Sequence, residues 1–168
     1  AVFNALIYRY SSVEDIAIGN CVTHRSNGLV DTFGNLENVS VIRTQLNAET
    51  LFSNLLEGIC KSIKHAEENG DVPFEHVLDR LHVGRSLSSS PLFQIMYAFD
   101  DIEMESRHVE LIHSQGRNPG VDLLLRVSSE HLSFEYNGLL FSPDRIKRMA
   151  GHFFVLLGQT YGRDNGHN

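Results

Sequence analysis

The side chains best able to do chemistry in this sequence are nine histidines, two cysteines and a run of serines. Histidine serves as general base, proton shuttle or metal ligand, and spacing decides which. No His-Glu-x-x-His and no Cys-x-x-Cys occurs, the spacings that turn two ligands toward one zinc ion. His108 and His113 stand on a segment that reads as a strand, at an odd spacing that points them to opposite faces. No metal site is expected. His65 and Asp71 have the composition of a base and its orienter, but they flank a helix end and a turn, where solvated residues are ordinary. Ser86, Ser88, Ser89 and Ser90 crowd one connector without the Gly-x-Ser-x-Gly elbow that exposes a nucleophile. Serines so placed satisfy loop backbone. No phosphate-cradling glycine loop is present. Local chemistry therefore describes an α/β domain with no self-contained active site.

The charge balance narrows the partners. Fourteen Lys and Arg stand against 21 Asp and Glu, a formal net charge of −7. Nucleic-acid binding draws on counterion release by a basic footprint, so nucleic acid is not an expected partner, and neither is an anionic membrane. No apolar run approaches the ~20 residues of a membrane span. A composition of 42% hydrophobic and 21% charged residues is that of a globular chain. At this length a core forms without disulfide or metal staples. Cys21 and Cys60 are too few for a disulfide framework and are expected as buried, reduced thiols of a cytoplasmic compartment.

A readable series of elements positions these residues. Residues 1–10 read as the end of an amphipathic helix stopped by Ser11-Ser12; with no N-cap before its apolar residues, an upstream continuation is expected. Asp15–Thr23 alternates as a strand, residues 24–34 form a loop, and Asn38–Leu46 alternates as a second strand around Val39, Val41 and Leu46. Asn47 is the expected cap of a long helix whose Leu51, Leu55, Ile59 and Ile63 recur at i and i+4, with Phe52 and Leu56 beside them, until Asn69-Gly70 stops it. Pro73 is expected at the first position of a short helix presenting Phe74, Val77, Leu78 and Leu81. Gly84–Ser90 is a polar connector, and Pro91–Phe99 is apolar enough for a well-buried strand. An acidic loop (100–105), a strand (109–113) and an Asn118-Pro119-Gly120 turn precede a hairpin of Val121–Val127 and Leu132–Tyr136. Ser142-Pro143-Asp144 opens a closing helix that turns Ile146, Met149, Ala150, Phe153, Leu156 and Leu157 inward. Residues 1–161 are read as one unit and the polar tail 162–168 as frayed.

Three segments carry a family likeness. Gly34-Asn35-Leu36-Glu37-Asn38-Val39-Ser40-Val41-Ile42-Arg43 resembles the Gly-x-Phe-Val-Asn-Thr-x-x-x-Arg motif of nonribosomal peptide synthetase condensation domains. Asn69-Gly70-Asp71-Val72-Pro73-Phe74-Glu75 is similar to their (His/Asn)-Gln-Asp-(Tyr/Val)-Pro-Phe-Glu motif, and Arg85-Ser86-Leu87-Ser88-Ser89-Ser90-Pro91-Leu92-Phe93-Gln94 to their Arg-Asp-x-Ser-x-x-Pro-Leu-Phe-Gln motif. The three occur in family order. Glu14–Gly19, Phe134–Asn137 and Arg148–Phe153 fit as well, so the likeness runs over nearly the whole chain. Leu36, Glu37, Val39, Gly70 and Ser86 depart from the family pattern. The stretch Leu81–Pro91 also resembles condensation domains of fungal polyketide–peptide hybrid synthases.

The resemblance implies a chloramphenicol acetyltransferase-like lobe, an α/β unit with a mixed β-sheet packed with helices. In the family two such lobes form a V around a tunnel, and carrier-bound phosphopantetheine arms enter from opposite ends. The amine of an acceptor aminoacyl thioester attacks a donor acyl thioester and an amide results. The family's His-His-x-x-x-Asp-Gly motif lies in the N-terminal lobe, and no two histidines are adjacent here. The chain is therefore expected to be a C-terminal lobe, inactive alone, whose partners are the N-terminal lobe and the donor and acceptor carrier proteins, with no directly bound cofactor. Asn38, Leu36 and Asp122 are the residues the resemblance assigns to the tunnel, Asn38 as an amide that meets the thioester carbonyl or orients the amine. Arg43, Pro73, Phe74, Arg85 and Pro91 are assigned structural roles. The alternative is a degenerate condensation-like platform that docks carrier proteins or a tailoring enzyme.

Overall fold

The computed structural model describes residues 1–23, 37–83, 90–100, 120–129 and 131–161. The expected loop at 24–34, most of the 84–90 connector, the acidic stretch from 101, the strand at 109–113, Asn118-Pro119 and the tail from 162 lie outside them, as do Leu36 and Arg85.

The described elements run α1 (Val2–Ser11), β1 (Asp15–Thr23), β2 (Glu37–Gln45), α2 (Phe52–Glu68), α3 (Phe74–Leu81), β3 (Ile95–Asp100), β4 (Leu123–Ser128), β5 (Leu132–Tyr136) and α4 (Pro143–Tyr161). The strands form one mixed sheet in the order β2-β1-β3-β4-β5. Its centre is parallel, with Ile18 opposite Ile95 and Ile95 opposite Leu123. Both flanks are antiparallel, with Ile18 opposite Ile42 and Leu125 opposite Phe134. Among the described residues no helix is long and apolar enough to cross a membrane.

Alternation along the strands sorts the core into two layers. Ile16 and Ile18 of β1 and Leu123 and Leu125 of β4 face the helices, where they meet Phe3, Leu6 and Ile7 of α1, Leu55 and Ile59 of α2, and Ile146, Met149 and Phe153 of α4. The intervening positions face the other way. There Leu124, Ala98, Val121 and Phe93 make a second buried cluster, with Ala17, Cys21, Val39, Val41, Phe74 and Met96 partly buried around it. The run Leu123-Leu124-Leu125 is buried on both sides, as a central strand requires. One polar bridge crosses the helix layer: Asn4 Nδ2 donates to Thr44 Oγ1 at 3.0 Å, both groups buried, and ties α1 to β2.

Several expectations need correction. Asn47 does not cap α2; its side-chain oxygen accepts from Glu49 N at 3.0 Å and from Thr50 Oγ1, closing a turn, and the helix starts only at Phe52. An asparagine competes for nearby backbone this way whenever the chain turns beside it. Pro73 is the N-cap of α3, one residue outside the helix, with extended ψ of 139°. The strand expected from Pro91 begins at Ile95, because residues 91–94 bend so that Phe93 can turn under the sheet. Leu51, Leu56 and Leu81 are exposed, the stripe on α2 being narrower than the apolar positions suggested. Cys60 is exposed on α2, and Cys21 is half-buried under the second cluster.

Phe93 shapes that cluster by resting on bare backbone. A Cβ at Gly19 would lie 2.6 Å from Cζ and 2.7 Å from Cδ2 of Phe93, and closer still to Cε2. A strand glycine marks such an approach. Gly19→Ala is expected to cost about 1–3 kcal/mol, the penalty of forcing a methyl into a packed site. Phe93→Leu in the same chain is expected to return part of that loss, since the shorter side chain vacates the space. Urea denaturation of the four chains of this cycle measures both effects; a Gly19→Ala chain as stable as the parent would show that the ring moves aside without cost.

Candidate functional site

The described parts of the three motif segments converge on the second face of the sheet. Asn38 sits at the start of β2, beside the turn between α2 and α3. Its Nδ2 donates to Gly70 O and to Val72 O, each at 2.8 Å. Its Oδ1 accepts from Val39 N at 2.9 Å and from Phe74 N at 3.2 Å. An asparagine amide has two N–H donors and room for two acceptor bonds, and all four are used. Two carbonyls on one side and two N–H groups on the other also fix which way the amide points.

The clamp passes directly into aromatic packing. Phe74, whose N–H Asn38 holds, opens α3 and places its ring against Phe93, with centroids 5.7 Å apart and planes tilted by 50°. Phe93, only 4% exposed, lies on Gly19 of β1. The Gln94 carbonyl accepts from Asp122 N at 2.7 Å and from Leu123 N at 3.3 Å, and the Asp122 carbonyl accepts from Asn137 N at 3.0 Å. Asn38, Pro73-Phe74 and Phe93-Gln94 are thus consecutive links in one path across the sheet, and Asp122 extends it to the end of β5.

This geometry bears on the expected roles. Asn38 has no spare N–H to offer a thioester carbonyl; its amide is spent on backbone, and its contribution is to hold the 70–74 turn against β2. Asp122 is half-buried, and among the described residues its part in the assembly is played by its main chain. Pro91 is half-buried in the bend before β3. Arg43 grips Asp15 across the β1–β2 pair with both ends of its fork, Nε to Oδ1 at 2.8 Å and Nη2 to Oδ2 at 2.6 Å. Those hydrogen bonds, then the guanidinium charge, hold the Asp15 carboxyl below its usual range. Arg126 on β4 pairs with Glu135 on β5 at 2.9 Å. Reasoning from sequence missed Gly19 as a member of the assembly; a glycine inside an alternating strand was the available signal. Among the described residues no cluster of three or more His, Cys, Asp or Glu is arranged to hold a metal ion.

Fold and motifs meet in one class of protein. The chain belongs to the condensation-domain family, whose model matches residues 1–163. It is 34% identical over 172 residues to gramicidin S synthase 2 of Brevibacillus brevis, a match covering 96% of this chain and only 4% of that protein's length. The condensation domain of the Monacolin K polyketide synthase MokA shares the fold with a TM-score of 0.81 at 19% identity, over 94% of this chain and 39% of that one. The X-domain in the complex with OxyB from teicoplanin biosynthesis shares it with a TM-score of 0.77 at 22% identity, over 94% and 38%. The chloramphenicol acetyltransferase-like lobe, a mixed sheet packed with helices, is the fold observed.

Asn38→Ala is expected to leave Gly70 O, Val72 O and Phe74 N without their partner, at about 1–3 kcal/mol for such unsatisfied groups. Thermal melts check this, and Asn38→Asp should fare no better, because its carboxylate would face the two carbonyls. For Arg43→Gln the loss should depend on pH. A depressed carboxyl pKa stabilises the fold above the ordinary aspartate value of about 3.9, and that stabilisation fades as pH falls through the folded value. Melts of the two chains should therefore differ at pH 7, the pair being exposed and the gap small, and converge below about pH 3.9. A gap unchanged in acid would assign the effect of Arg43 to packing.

Proposed function

We propose that this chain is the C-terminal lobe of a condensation domain. With its companion lobe, it joins a donor acyl or peptidyl thioester to an acceptor aminoacyl thioester, each on the phosphopantetheine arm of a carrier protein. The observation that carries this reading is the meeting of three family motifs, in family order, in one assembly on one sheet face. In the reaction the acceptor amine attacks the donor carbonyl. A C–N bond forms, the C–S bond breaks, and the donor arm leaves as a thiol carrying the proton the amine sheds. The group that handles this proton belongs to the companion lobe, since the adjacent-histidine motif does not occur in this sequence. This lobe supplies shape. The family resemblance assigns Leu36, Asn38 and Asp122 to the tunnel, with Asn38 fixing the backbone there rather than touching the reacting carbonyl. The Leu81–Pro91 stretch favours a fungal hybrid synthase as the parent, a cytoplasmic multidomain chain.

The second reading, a platform for a carrier or a tailoring enzyme, draws on the fold shared with an X-domain held in complex with OxyB. One experiment separates the two. The 168-residue chain and the two-lobe parent domain are each incubated with donor and acceptor carriers loaded as thioesters, and amide product is followed by mass spectrometry. The expected result is product from the parent domain and none from the chain alone. Turnover by the chain alone at the parent's rate overturns the one-lobe reading. A parent domain that binds loaded carriers yet forms no amide selects the platform.

A further inference from the structure

We propose that the groove between α1 and α4, away from the motif assembly, is a docking site for an acidic amphipathic protein segment, gripped by Arg9 and Arg148. The groove encloses about 600 Å³ and takes one arginine from each helix. The chain carries a net charge of −7, so cations converging on one groove stand out against their surroundings. Neither guanidinium has a carboxylate partner among the described residues, whereas Arg43 and Arg126 are both paired. An arginine fork on an exposed helix matches a carboxylate bidentately.

Apolar side chains line part of the space between the two arginines, beside Tyr10, His152 and Gln159. Leu6 closes its floor, and Leu156 and Val155 line its α4 side, Val155 being 58% exposed. The site is also preformed. Tyr10 Oη and His152 Nδ1 are hydrogen-bonded at 2.9 Å across the helix pair, with ring centroids 5.9 Å apart, and Leu6 and Phe153 anchor both helices in the core. Apolar contact flanked by unpaired cations suits a segment with leucine-like anchors and Asp or Glu beside them, the helix-in-groove mode. A small anion such as phosphate would use the guanidinia but leave Val155 and Leu156 in water.

The test uses the 168-residue chain and a fluorescein-labelled Leu/Glu amphipathic peptide, with its Leu/Gln counterpart as comparison, read by fluorescence anisotropy. The Leu/Glu peptide is expected to bind and the Leu/Gln peptide to bind at least tenfold more weakly. Arg9→Gln and Arg148→Gln should each weaken binding about tenfold, and Val155→Ser severalfold. Lys64→Gln on α2 makes the same change in net charge outside the groove and should leave the affinity as it was. All these side chains are exposed, so thermal melts should stay at the parent value. If an arginine variant does melt lower, Val155→Ser and the Leu/Gln peptide still decide the matter. Equal binding of the two peptides, or an equal effect of Lys64→Gln, overturns the proposal. So does inorganic phosphate that displaces the peptide while Val155→Ser binds normally, which would leave only a small-anion site.

Discussion

A phenylalanine ring lying against unadorned backbone is the contact on which the second face of this sheet depends. Phe93 reaches Gly19 only because the strand there has no side chain, and the rest of that face is arranged around the ring. Phe74 packs against the same ring, and Asn38 fixes Phe74 by its main-chain N–H. Each link restricts the next: the ring needs the glycine, the helix start needs the ring, and the 70–74 turn needs the amide. Such chains of contact are expected to be more than additive, because loosening one partner leaves polar groups of the next without bonds. The motifs that mark the family in sequence are, in this chain, the joints of the sheet face.

Sequence patterns rendered the regular elements well where periodicity was strong. Asp15–Thr23 alternates and is the strand β1, and Leu132–Tyr136 with the leucine run before it is the β4–β5 hairpin. Ser142-Pro143-Asp144 opens α4, with Arg145 N near Ser142 Oγ. Boundaries failed where a side chain had two ways to satisfy itself. Asn47 could cap a helix or close a turn, and the turn won. Pro91–Gln94 is apolar enough for a strand, yet Phe93 had to leave the strand line to reach Gly19, and no local pattern announces a contact so distant in sequence.

The site was legible in a different way. Family spacing marked Asn38, Phe74 and the Pro-Leu-Phe-Gln segment, but spacing carries no information about what an amide bonds to. Asn38 read as a donor for substrate is consistent with its residue type; its partners at Gly70 and Val72 could come only from a folded turn. The structural role assigned to Arg43 named no partner, and the register of β1 against β2 supplied Asp15.

The strand order has a consequence for how the sheet comes together. The β1–β2, β3–β4 and β4–β5 pairs each join strands consecutive among those described, whereas β1 and β3 are far apart in the chain, Ile18 meeting Ile95. Contacts of high sequence separation carry the larger loop-closure cost and form slowly. The sheet should therefore condense as two local halves, β1–β2 and β3–β4–β5, with the β1–β3 pairing as the seam that joins them. Phe93 lies immediately before that seam, so its contact with Gly19 is made when the seam closes. Until then the small residues of β1 and the apolar side chains meant to cover them face solvent together. During synthesis this is the interval in which the nascent chain is most exposed to wrong association.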